Sequence, residues 1–176
     1  MHPLKKAWAA IAVLGGTAVV GSYVWGLSSI PNASTDFWGG TPEALIPLYT
    51  VSMLLGAVSF FFITAFVLVL DPATARVGEG FGFPLFLWIY LAILVPSALW
   101  MPLVAQMVAS PSEPVWWVIR LALLVVGLAS VALVAALLRV SPRSPTWLYL
   151  VSVVGAVWFT VHTLVLDALL WPVFFR

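Results

Sequence analysis

Apolar side chains run almost unbroken through five stretches of the chain, 7–27, 44–70, 83–108, 115–139 and 146–172, and polar residues gather in the gaps between them. At about 1.5 Å of rise per residue, each run is long enough as a helix to cross a hydrocarbon core about 30 Å thick. Membrane β-strands would read as short alternating segments, which these are not. The pattern predicts an all-α membrane protein, a five-transmembrane-helix bundle that forms a single integral membrane domain over 1–176. The first run is longer than a signal-peptide core and no small-residue cleavage site closes it, so it is expected to remain as a span.

The connections differ in kind. The gap at 28–43 is the longest and holds Pro31, Asp36, Phe37, Trp38 and Glu43. Loops of this length are commonly lids or binding loops, and Phe37 and Trp38 suit a packed lid. The turn after Leu70 begins with Asp71-Pro72 and contains Gly78, Gly80 and Gly82, which are expected to loosen it. Pro96 and Pro102 interrupt the third run and deprive carbonyls one turn earlier of their donors.

Charge sets the expected orientation. Lys5, Lys6, Arg76, Arg139 and Arg143 fall on one side of the five spans, and Arg120 and Arg176 on the other. Cytoplasmic loops collect Lys and Arg, so the N-terminus is expected to be cytoplasmic and the C-terminus outside, with 28–43 as an outer loop. The expected location is an integral membrane, a bacterial inner membrane or its equivalent. The seven basic residues are scattered, which leaves no nucleic-acid footprint. With no Cys and two His, thiolate metal sites and disulfides are excluded and a buried metal site is not expected.

Candidate chemistry concentrates in the last run. An ionised carboxylate facing lipid is costly, so Asp167 should face protein or water and have a partner. Tyr149, Ser152, Ala156, Thr160, Thr163 and Asp167 follow one another at helical steps and make one small or polar stripe. His162 lies about 140° around an α-helix from Asp167, off that stripe, and about 13 Å below Trp171. Arg120 and Asp167 sit at matching depth on expected neighbours. Either the two pair, or Arg120 snorkels to the headgroups. In the second run Tyr49, Ser52, Gly56 and Ser59 share a face, and Tyr23 ends the first. Tyr49, Trp100, Arg120, His162 and Asp167 are expected to line one ligand-binding cavity roofed by Phe37 and Trp38. No catalytic nucleophile motif is present.

Trp25, Pro31, Trp38, Leu48-Tyr49, Met53 and Gly56, together with Ala98-Leu99-Trp100-Met101-Pro102-Leu103, stand at intervals that resemble the translocator protein family, also called tryptophan-rich sensory proteins. Ile30 replaces that family's basic residue before Pro31, and the loop lacks its double Pro. The resemblance implies a helical bundle, often a homodimer, that binds tetrapyrroles, sterols or other flat apolar molecules under the first loop, and it points to Trp38, Tyr49 and Trp100. The expected function is binding or carrying a small hydrophobic ligand of tetrapyrrole, sterol, quinone or lipid-like type. Two alternatives stand beside it: an accessory subunit of a larger membrane complex, and a lipid-modifying membrane enzyme in which His162 and Asp167 move protons. The ligand, the cofactor if any and the oligomeric state are not legible.

Overall fold

The computed structural model describes residues 2–30 and 32–175, with Ser34 described by its backbone alone. Pro31 and Arg176, which entered the resemblance and the charge comparison above, lie outside the described residues. Five helices are long and apolar enough to cross a membrane. They contain α1 (Pro3–Ser29), α3 (Ile46–Val69, preceded by a 3₁₀ turn at Glu43–Leu45), α4 (Pro84–Ala109), α5 (Glu113–Arg139) and a composite last span. The last span begins as α6 (Thr146–Thr160), widens into a π-helix at Val161–Leu170 and closes as α7 (Trp171–Phe175). A single turn, α2 (Ala33–Asp36), sits in the first loop.

The spans pack in the order α1, α4, α5, last span, α3. Residues spaced three and four apart turn one stripe of each helix inward, and the other side stays apolar and exposed, as a lipid-facing surface requires. Along the bundle axis the interior divides in two. Phe66, Phe86, Tyr90 and Leu133 belong to one buried cluster, and Tyr49, Met101, Ile119 and Trp171 to the other. Tyr90 joins α4 to α3 through a 3.0 Å hydrogen bond with Thr64 and an edge contact of its ring with Trp8 of α1. By contrast, α1 and α3 meet one another only slightly.

Each end of the bundle is tied down. At one end β1 (Arg76–Val77) pairs antiparallel with β2 (Phe81–Gly82) and, on its other edge, with β3 (Val140–Ser141). The expected loose turn is therefore a tight hairpin, with Gly78 at φ +62° supplying a conformation side chains resist. At the other end the first loop is docked on the C-terminal helix. Trp171 Nε1–H donates to the Phe37 carbonyl at 3.1 Å, and Gly40 N–H to the Phe174 carbonyl at 2.8 Å.

Glycines set how closely the spans approach. A Cβ on Gly127 would lie 2.8 Å from Leu164 Cδ1 and 3.0 Å from its Cα, and one on Gly155 would lie 2.9 Å from Ser59 Cβ. Gly21 of α1 has nothing within 4 Å. Gly127→Val is expected to lower stability in detergent by about 1–3 kcal/mol through overpacking, whereas Gly21→Ala should change it by no more than about 1 kcal/mol, in the stabilising direction. Thermal melts of the two variants, side by side, check this contrast.

Candidate functional site

The polar groups inside the bundle converge on the π-helical segment. A π-helix bonds i to i+5, so residues five apart come onto one side. His162 and Asp167 are such a pair, and the His162 Nε2 to Asp167 Oδ2 distance is 3.4 Å. The α-helical expectation that put them about 140° apart is corrected by this local change of register. On its other ring nitrogen, His162 Nδ1 lies 3.2 Å from Ser52 Oγ on α3. Ser52, His162 and Asp167 thus form one polar line across two spans, a hydrogen bond at the Ser52 end and an ion-pair contact at the Asp167 end. The inner end of the line is closed, with Ser52 only 2% exposed. The side chains of His162 and Asp167 are 10% and 30% exposed, so the line opens at the carboxylate.

Neighbouring side chains hold the widened helix in place. Tyr49 O–H donates to the Leu166 carbonyl at 3.1 Å, the same carbonyl that accepts the Trp171 N–H five residues on. Thr163 Oγ1 lies 3.0 Å from Ser130 Oγ, and Ser130 in turn donates to the Gly127 carbonyl at 2.6 Å. Gly56 of α3 lies beside the His162 ring, whose Cδ2 would be in ordinary contact, 3.9 Å, with a Cβ there. The face of α3 that carries Tyr49, Ser52, Gly56 and Ser59 is the one that meets the last span. The polar stripe of the last span is split by the change of helix type. Ser152 donates to the Phe62 carbonyl of α3 at 3.0 Å, while Thr163 faces α5.

The six candidate residues fall into three groups. Tyr49, His162 and Asp167 come together, and Tyr23 of α1 joins Tyr49 within coulombic reach of the carboxylate. Trp38 and Trp100 flank them as packed rings. Trp38 meets the edge of Tyr49 at a 5.7 Å centroid distance, and Trp100 stacks on Tyr23 at 5.7 Å and meets Trp171 at 5.6 Å. Arg120 stands apart. It is exposed on α5 and its guanidinium lies 6.0 Å and 5.4 Å from the ring centroids of Trp116 and Trp117. The expected Arg120–Asp167 ion pair is not made: Arg120 is on the exposed side of α5, and the carboxylate meets His162 of its own span. Two grooves are described elsewhere, one lined by Trp25, Ile30 and Gln106 and one by Glu79, Ala135 and Arg139, and none of the six residues lines either.

Ser52 was legible as facing inward, through its spacing from Tyr49, but nothing in the pattern marked it as the partner of His162. Chemically the His162–Asp167 pair can hold a proton. One proton between Nε2 and Oδ2 leaves the pair without net charge, the arrangement a low-dielectric interior favours. Nδ1–H then points at Ser52 Oγ. Among the described residues no three His, Asp or Glu side chains gather where they could hold a metal ion. No family model, curated protein or solved structure matches this chain.

Energetic coupling separates the two partners proposed for Asp167. A double-mutant cycle of His162→Ala and Asp167→Asn, read by thermal or denaturant unfolding in detergent, is expected to give a coupling of about 0.5–3 kcal/mol. The cycle of Arg120→Gln with Asp167→Asn should be additive within about 0.5 kcal/mol.

Proposed function

We propose that this is an integral membrane protein that binds or carries a small hydrophobic ligand, and that the ligand's polar group docks on Asp167. The observation that carries the reading is an acid inside a membrane span that is paired to a histidine yet left partly open. Intramembrane carboxylates are costly and are placed where a substrate, ion or ligand meets them. We place the access route between α1 and α3. Because α1 and α3 meet only slightly, a molecule dissolved in the bilayer can approach between them and reach the carboxylate beside Tyr23 and Tyr49. Trp38 and Trp100 pack around Tyr49 and Tyr23 and keep part of their rings exposed, which supports an aromatic wall for the ligand. A sterol, quinol, tetrapyrrole or lipid-like molecule with a hydroxyl or amine suits this combination, with the apolar body against the rings and the donor on the carboxylate. The resemblance to the translocator protein family points in the same direction.

The sheet-bearing end carries Lys5, Lys6, Arg76, Arg139 and Arg143, which supports a cytoplasmic N-terminus and a ligand site in the outer half of a bacterial inner membrane or its equivalent. Ser52, His162 and Asp167 have the residue types of a hydrolytic triad. Ser52 is too enclosed to meet a substrate, so we assign the line to holding a proton rather than to nucleophilic attack. A second reading, an accessory subunit of a larger membrane complex or a homodimer, is supported by α1, whose Gly16 and Gly21 have nothing packed over them.

Titration of the detergent-solubilised protein with a porphyrin, a sterol and a quinol, followed by tryptophan fluorescence, is expected to show saturable quenching by at least one. Asp167→Asn should weaken that binding about tenfold or more, the value of a hydrogen bond to a charged group. Absence of saturable quenching by all three, or equal affinity in the variant, contradicts the proposal.

A further inference from the structure

The second groove lies at the sheet-bearing end, between α4 and α5, and has a volume of about 500 Å³. Its length is apolar, formed by Leu85 and Ile89 of α4 and by Ala132 and Ala135 of α5. The small alanine side chains on the α5 side leave the channel open between two helices that pack extensively on one another. Its mouth carries two opposite charges, Arg139 at the end of α5 and Glu79 at the tip of the β1–β2 hairpin. The hairpin tip is held beside the helix end by Gly78 N–H, which donates to the Arg139 carbonyl at 3.1 Å.

These two charges line one mouth without neutralising each other. The salt bridge described in the protein is that of His162 with Asp167, and among the described residues neither the Arg139 guanidinium nor the Glu79 carboxylate makes a hydrogen bond or ion pair. Both side chains are exposed and free to meet a ligand. An apolar channel that ends in one cation and one anion is complementary to an acyl chain beneath a zwitterionic headgroup. Arg139 matches the phosphate, for which its forked donors are suited. Glu79 matches a primary ammonium, which brings three N–H donors.

We propose that this groove is a binding site for one membrane phospholipid of the ethanolamine type, with its phosphate at Arg139, its ammonium at Glu79 and an acyl chain along Ala132 and Ala135. A glycerol headgroup offers Glu79 no cation, and a choline headgroup offers it no N–H.

Native mass spectrometry of the full chain in detergent, with added phosphatidylethanolamine, phosphatidylglycerol or phosphatidylcholine of matched acyl chains, tests the assignment. One ethanolamine lipid per protein should be retained about fivefold better than the glycerol lipid, the effect of one matched charge near a membrane surface. Glu79→Gln should remove that preference while glycerol-lipid binding persists or rises. Arg139→Gln should weaken retention of every phospholipid, and Ala135→Phe, which fills the channel and leaves both charges in place, should do the same. Equal retention of the ethanolamine and glycerol lipids by the unaltered protein, an unchanged preference in Glu79→Gln, or unchanged retention in Ala135→Phe overturns the proposal. Should Arg139→Gln fail to fold, the other two variants decide it.

Discussion

A carboxylic acid set within a membrane span needs a polar partner inside the protein, and here that partner is five residues away on the same helix. An α-helix cannot bring residues five apart face to face, and a π-helix can. The approach of His162 to Asp167 and the widening of the last span over Val161–Leu170 are therefore one structural fact seen twice. The pairing removes the need for a cation from another helix, and Arg120 lies instead over its two tryptophans.

A wider helix needs more room and fewer competing side chains, and the surrounding spans provide both. Gly127 lies under the bulge on α5, where a Cβ would meet Leu164 at 2.8 Å, and Ser130 of the same helix meets Thr163. Tyr49 caps the Leu166 carbonyl, so both of that oxygen's lone pairs are used. The first loop locks the same end of the span through Trp171 and Phe174. Replacing water inside a bilayer with fixed internal partners is the only way these polar groups can be accommodated. The result is a polar line closed at Ser52 and open at Asp167, and that asymmetry gives the proposed ligand site its direction.

Much of the architecture was legible in the apolar runs, since a span of more than twenty apolar residues has one physical solution. The inward face of α3 was legible too, because Tyr49, Ser52, Gly56 and Ser59 repeat at helical spacing. The π-helix was not. Periodicity arguments assume the α-helical angle per residue, and a single change of register rotates everything beyond it, which is how His162 and Asp167 were placed apart. Arg120 shows a second limit: equal depth on neighbouring helices says nothing about which side of each helix a residue occupies. The hairpin at Arg76–Gly82 was hidden because its strands are two residues long and their partner, Val140–Ser141, lies far along the chain.

The arrangement of His162 and Asp167 can be measured directly in bilayers. His2 and His162 are the only histidines and Asp36, Asp71 and Asp167 the only aspartates, so selective ¹⁵N-histidine and ¹³Cγ-aspartate labelling leaves few signals to assign. Solid-state NMR dipolar recoupling is expected to show a measurable through-space coupling between His162 Nε2 and Asp167 Cγ, as the 3.4 Å nitrogen-to-oxygen contact requires. No measurable coupling between them would mean that the last span keeps an α-helical register and that the acid is satisfied elsewhere.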